Sequence, residues 1–160
     1  MKGLADQLAS YSAYHRDPRN KRTHFFGVPM VTVSLFIFLE WFRFIHSSFP
    51  VSAALIFFLI VAVYYLKLDL QVGGLALLCS LPLLVAAHYM AQARWGISLS
   101  WFLFFFVGGW ALQLWGHYYE GKRPALTDNI LQIFNAPLFL ICEVLFKLNK
   151  RGDLKIHLVE

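Results

Sequence analysis

Charge is scarce in this chain. Asp, Glu, Lys and Arg make up 14% of its 160 residues, against roughly 25% in an ordinary soluble domain. A short soluble chain needs more polar cover than that, so a typical soluble enzyme is excluded. Cysteine is nearly absent: Cys79 and Cys142 both sit in apolar runs and read as small buried hydrophobes, with no disulfide framework or zinc-knuckle spacing. The opening segment, MKGLADQLASYSAYHRDPRN, has no apolar h-region and does not read as a cleaved signal peptide. H-E-x-x-H, G-x-S-x-G, P-loop and G-x-G-x-x-G motifs are missing too, which leaves hydrolase and nucleotide-binding readings without support. Ser34, Ser80 and Ser98 have no base at a recognisable spacing and read as ordinary helix residues.

What the chain has is apolar bulk. The AVILMFWYC set makes up 59%, with sixteen Phe, seven Tyr and five Trp. Disordered and collagen-like classes are excluded with it, and lipid becomes the expected solvent for much of the surface. Four stretches reach the length of about 20 apolar residues that a bilayer demands. They run approximately Phe25–Ile45, Ser47–Leu66, Val72–Met90 and Ile97–His117. Glu40 and Arg43, near the far end of the first, are placed where long side chains snorkel, and Phe49-Pro50 is read as the first turn of the second. Short connections make consecutive helices antiparallel neighbours. Gly73-Gly74 and Gly108-Gly109 offer smooth patches for close approach. A fifth stretch, about 130–148, carries Gln132, Asn135, Glu143 and Lys147 along one stripe with Pro137 interrupting it, and is expected to lie at the interface as an amphipathic helix.

The basic residues set the topology. With four spans, one side receives Lys2, Arg16, Arg19, Lys21, Arg22, Lys67, Lys122, Arg123, Lys147, Lys150, Arg151 and Lys155; the other receives only Arg43 and Arg94. Twelve against two is a strong positive-inside bias, whereas a fifth span would reduce it to eight against six. The expected architecture is therefore all-α: an integral membrane helical bundle forming one domain over 1–160, with four transmembrane helices, an interfacial helix and both termini cytoplasmic. The net charge of +5 is assigned to headgroups and topology rather than nucleic acid, because the basic residues flank apolar runs.

Topology sorts the histidines. His15 and His24 precede or open the first span on the cytoplasmic side, and His117 closes the fourth span on the same side. His46 and His88 fall at the opposite ends, across a core about 30 Å thick, and His157 sits in the polar tail. His15 and His24 bracket HRDPRNKRTH. In one continuous helix they would stand about 13 Å apart, but a residue before proline is pushed out of the helical region. Asp17-Pro18 thus predicts a turn that folds both imidazoles towards one point. Gln113 and Glu120 share the helical face of His117. Neutral imidazoles supported by a carboxylate or amide suit Fe(II) or a similar divalent ion. Three hydrogen-bonded interfacial histidines without a metal remain the bland alternative. Small membrane transporters or assembly proteins with structural metal-binding histidines form a competing class, as do bis-histidine haem carriers. The span interiors offer little polarity for a transport path.

Two blocks carry a resemblance: Y-x2-YHRDPRNKRTHFFGVP (Tyr11–Pro29) and W-A-L-Q-L-W-GHYYEGKRPALTDNILQIFNAPLFLICEVLF (Trp110–Phe146). They resemble the membrane 2-hydroxy fatty acid dioxygenase family, through Y-H-x2-P-x-N-x3-H combined with Q-x2-G-H…R-P-A-L. What the resemblance implies is Fe(II)-dependent α-oxidation, in which iron and dioxygen convert a 2-hydroxy fatty acid to a fatty acid one carbon shorter. The family's histidines correspond to His15, His24 and His117 as metal ligands. Under that implication Arg123, with Arg16 or Arg19, attracts the substrate carboxylate, and Asn20, Gln113 and Glu120 orient ligands or handle a proton. The segment between His117 and Arg123 is one residue shorter than in the eukaryotic form, so a ligand role is not carried over to Glu120. The expected partners are the acid, dioxygen and the bilayer, and oligomerisation is compatible with the sequence. The expected location is a bacterial inner membrane or the endoplasmic reticulum, with the site facing the cytoplasm.

Overall fold

Proline and aspartate punctuate the helices. A computed structural model describes residues 3–46, 49–123 and 130–156. The first helix, α1 (Leu4–Ser12), stops before Asp17-Pro18. Asp17 then caps α2 (Pro18–Glu40), its carboxylate accepting from the Arg19 N–H at 2.7 Å. Pro18 takes the first helical position, where no N–H is needed. Ser52 caps α3 (Ala53–Leu68) by accepting from Leu55 N–H, and Asp69 caps α4 (Leu70–Ala91) by accepting from Gln71 and Val72. The long α5 (Trp95–Glu120) ends on Gly121 at φ 65°, a left-handed C-cap that glycine adopts without steric penalty. A 3-10 turn (Ile130–Phe134) leads into α6 (Asn135–Lys147), and a short α7 (Gly152–Ile156) follows.

The central helix is α2. It packs along α5 and α4, while α1 and α6 close one end of the bundle. Two apolar clusters form the core. One joins Leu8, Tyr11, Val28, Val72, Leu138 and Phe139; the other joins Val33, Phe36, Ile37, Ala54 and Leu84. Outward faces are greasy: Ile60, Leu78 and Phe104 are each 60% or more exposed. Among the described residues α2, α4 and α5 are long and apolar enough to cross a membrane. With 16 residues, α3 reaches only about 24 Å, short of a hydrocarbon core of about 30 Å. By length, then, three of the four expected spans stand.

The helix expected at Phe25–Ile45 starts at Pro18 and ends at Glu40. The all-α architecture holds, but Arg43–His46 (β1) and Phe49–Ser52 (β2) pair as a short antiparallel ladder within it, with Phe44 opposite Val51. Pro50 explains the departure: it forces Phe49 out of the helical region and tolerates a two-stranded edge. Phe49-Pro50 is therefore strand, not the first turn of a helix. Glu40 does not snorkel. Its carboxylate is 3% exposed and accepts from Ser52 Oγ at 2.6 Å, His88 Nδ1 at 3.0 Å and Arg43 Nη2 at 3.3 Å. A carboxylate this deep is tolerated only with such partners. Cys142 is buried as expected, but Cys79 is exposed on α4.

The expected interfacial helix is also tighter than the sequence suggested. Pro137 falls in the first turn of α6, where proline is tolerated, rather than interrupting a longer helix. Asn135, expected on a polar stripe, is buried and donates to Gln132 Oε1 at 2.8 Å. Glu143 pairs with Lys21 at 2.7 Å, tying α6 to α2. Beyond α6, Arg151 grips Asp69 through two parallel hydrogen bonds of 3.0 and 2.8 Å. That guanidinium holds the Asp69 carboxyl below the usual carboxylate range. A lowered carboxyl contributes stability that is complete above its unfolded value near 3.8 and is lost as pH falls through the folded one. Thermal unfolding in detergent is expected to lose an acid-side step below about pH 4 in Asp69→Asn. At neutral pH the same variant is expected to lose about 1 kcal/mol.

Candidate metal centre

The turn at 13–17 brings His15 back onto α2, and the close approach of α5 delivers His117. All three imidazoles are buried, with His15 and His24 1% exposed and His117 5%. One ligand nitrogen from each lies within 4.8 Å of the others. The ring centroids are 4.5 Å (His15–His24), 4.8 Å (His15–His117) and 5.1 Å (His24–His117) apart.

Hydrogen bonds fix two tautomers. His15 Nδ1 donates to the Tyr11 carbonyl at 2.8 Å and His24 Nδ1 donates to the Asn20 carbonyl at 3.0 Å. Carbonyls only accept, so in the neutral rings both protons sit on Nδ1 and both Nε2 atoms carry lone pairs. Those two Nε2 atoms face each other at 3.1 Å. Two lone pairs so close repel unless a proton or cation lies between them. His117 Nδ1 is buried without a hydrogen-bond partner. The donor set therefore fits a divalent ion: three neutral nitrogens, two with backbone carbonyls bracing the far side of the ring. Burial, reinforced by the neighbouring His24, pushes the His15 imidazole down to about 3, so it stays neutral throughout the physiological range.

Glu120 acts at one remove. Its carboxylate accepts from the backbone N–H groups of Arg16 and Asp17, each at 2.8 Å, and from Asn20 Nδ2 at 3.0 Å. It thus fastens the His15 loop to the end of α5. Asn20 is fully buried, and its Nδ2 also donates to the Tyr14 carbonyl at 3.2 Å. Arg19 bonds Asp17 at 2.8 Å and lies over the Tyr119 ring at 4.4 Å. Arg16 and Arg123 are exposed near the same end. Gln113 packs at the α2–α5 seam, where a Cβ on Gly27 would stand 2.9 Å from its Cγ. His88 is at the far end of the bundle with Glu40, and His46 lies in β1. His157 and the segment from Pro124 to Asn129 lie outside the described residues.

Two contributors went unassigned in the sequence reading. Tyr11 stacks on His15 at 4.1 Å with planes 9° apart, backed by Phe139 at 5.1 Å. Only its place in the Tyr11–Pro29 block hinted at this. Gly116 precedes His117 and is overlain by Thr23 Oγ1 and Asn20 Oδ1. Its place beside a candidate ligand was the available signal.

Fold and site define a helical protein of membrane character with a buried three-histidine centre. The family model described as Mpo1-like, 2-hydroxy-palmitic acid dioxygenase, matches residues 1–148, and the chain belongs to that family. It is 34% identical over 159 residues to the 2-hydroxy-palmitic acid dioxygenase MPO1 of Saccharomyces cerevisiae, covering 97% of this chain and 87% of the relative. No solved structure matches.

Proposed function

We propose that this protein is a membrane-embedded Fe(II)-dependent dioxygenase that shortens 2-hydroxy fatty acids by one carbon. The overall change R–CH(OH)–COOH + O2 → R–COOH + CO2 + H2O balances without an external reductant. One observation carries the reading: in a chain of this family, two Nε2 lone pairs face each other at 3.1 Å beside a third buried imidazole. His15, His24 and His117 would hold the metal. Fe(II), when bound, supplies a centre where dioxygen and a 2-hydroxy-carboxylate meet.

The remaining roles belong to the chain. Tyr11 and Phe139 fix the His15 ring and keep water from its face. Arg16 and Arg123 are exposed at this end and draw the substrate carboxylate. Arg19 is already committed to Asp17 and contributes field rather than contact. Asn20 and Glu120 hold the loop, and Gln113 fills the seam one turn before His117. Three full crossings by α2, α4 and α5, with the shorter α3 completing a fourth where the bilayer thins around it, put the histidine end in the cytoplasm in agreement with the basic bias and deliver a substrate already dissolved in the bilayer.

Oxygen uptake by purified, iron-loaded protein on 2-hydroxypalmitate tests the reading. Consumption matched by release of the shortened acid is the expected result. Full turnover after complete metal removal, or none with iron bound, overturns it. Glu120→Ala is expected to weaken metal retention by about 10–100-fold, as loss of a supporting residue does. Glu120→Gln keeps one acceptor and is expected to recover much of that loss, which a general collapse of the fold would not permit.

A further inference from the structure

Two apolar clefts run beside α2. The first, of about 280 Å³, starts at Phe25, the neighbour of His24, and is walled by Val28, Cys79 and Val144. The second, of about 400 Å³, continues deeper and ends among Phe36, Phe57 and Phe58. Thr32, Ser80 and Pro137 line both, so the clefts meet at one neck. Each is within or close to the range of small-ligand sites. Their hydroxyls are spent internally: Thr32 donates to the Val28 carbonyl at 2.9 Å and Ser80 to the Ala76 carbonyl at 2.7 Å. The neck therefore offers hydrocarbon contact and no free donor. Val28, one turn beyond His24, belongs to the same apolar cluster as Tyr11 and Phe139, which flank His15. From Phe25 to Phe36 the path follows α2 for about 16 Å.

We propose that this two-chamber groove holds the saturated tail of the substrate and measures its length. The proposal rests on the dioxygenase reading, and commits the groove to a single acyl chain whose polar end lies at the histidines. Adjacency to that centre argues for this occupant: the groove's wall residues Val28 and Leu140 belong to the apolar cluster of Tyr11 and Phe139, the two rings that flank His15. The tail passes the Thr32–Ser80–Pro137 neck and stops against the aromatic floor, where Phe36 and Phe58 pack at 6.3 Å and Phe57 and Phe134 at 6.1 Å. Chains too short to pass the neck leave the deep chamber unfilled and forgo its packing contacts.

The chain supplies its own probe. Cys79 is exposed in the first chamber, whereas Cys142 is fully buried and its thiol is pushed up to about 12 by burial. Alkylation by N-ethylmaleimide therefore reports on Cys79. In anaerobic, metal-loaded protein, 2-hydroxypalmitate is expected to slow alkylation about 10-fold, while 2-hydroxypropionate, which has no tail, does not. Ser80→Phe, which plugs the neck, is expected to reduce the preference for 2-hydroxypalmitate over 2-hydroxydecanoate by about 10-fold or more in kcat/KM. Phe57→Ala, which deepens the floor, shifts preference towards longer acids and keeps the test open if the neck variant does not fold. Unchanged alkylation with 2-hydroxypalmitate, or protection by phosphatidylcholine vesicles to which the acid adds nothing, overturns the groove assignment. So does an unaltered chain-length profile in both variants. If the wild type oxidises no 2-hydroxy acid but palmitate still protects Cys79, the dioxygenase reading fails and the acyl groove survives.

Discussion

Alanine at His15, His24 or His117 is expected to abolish turnover and metal retention together, by more than the roughly 10–100-fold that loss of a supporting residue costs. Each histidine is one of three donors in a cluster whose ligand nitrogens lie within 4.8 Å. Two donors leave an incomplete site, and the nearby carboxylate of Glu120 is committed to the N–H groups of Arg16 and Asp17 and to Asn20 Nδ2. Stability is expected to respond in an instructive way. With both rings neutral and their Nδ1 protons given to Tyr11 and Asn20, the Nε2 lone pairs of His15 and His24 face each other at 3.1 Å in metal-free protein. Removing either ring deletes a packed side chain but also relieves that repulsion, so the metal-free variants are expected to unfold near the wild-type temperature. The difference emerges on adding metal. A ligand at 1,000 times its Kd stabilises the native state by about 4 kcal/mol, which the wild type gains and the variants do not. Thermal unfolding with and without Fe(II), read beside oxygen uptake, checks both parts. Three variants that each keep metal and turnover would remove the site assignment.

How far the sequence was legible follows physical range. The meeting of His15 and His24 was readable because Asp17-Pro18 acts locally: proline restricts the residue before it, and Asp17 supplies the cap that starts α2. His117 followed from counting spans, which places it at the same end of the bundle as the N-terminal segment. Interactions over more than a hundred residues left no local trace. Glu120 carries the face expected of a ligand support, yet its carboxylate faces backbone N–H groups at Arg16 and Asp17 that no periodicity reveals. The Arg43–Ser52 ladder escaped for a different reason. Its Phe44, Ile45, Phe49 and Val51 alternate irregularly with Arg43, His46 and serines, and so short a pattern does not distinguish a frayed helix end from a short hairpin. Apolar neighbours make Cys79 read as buried, but an apolar run also lines an open cleft, which is where α4 presents it. Gly108-Gly109 was a weak signal for close approach, and Gly109 does meet Val31 of α2, where an added Cβ would stand 2.8 Å from Val31 Cγ2.

Gly116→Ala is the second large effect expected. Glycine allows α5 to lie directly against the first turns of α2, and a Cβ at this position would run into Thr23 Oγ1 and Asn20 Oδ1, with Asn20 Cα only 3.3 Å away. Neither partner gives way freely. Thr23 Oγ1 is held to the Asn20 carbonyl at 2.8 Å, and Asn20 Nδ2 bonds both Tyr14 and Glu120. The helices must separate instead, which in a packed core costs about 1–3 kcal/mol and sometimes more. Function suffers further, because the next residue is His117 and its displacement moves a candidate ligand away from His15 and His24. A shift of about 1 Å is enough to cost about 100-fold in a positioned site. Gly74→Ala provides the contrast: nothing lies within 4 Å of its added Cβ, and alanine is favoured over glycine within a helix by about 1 kcal/mol. The expected pattern is a lowered unfolding temperature with loss of metal and turnover in Gly116→Ala, against unchanged turnover and equal or higher stability in Gly74→Ala. Wild-type metal retention in Gly116→Ala would mean that the α2–α5 seam yields without moving His117.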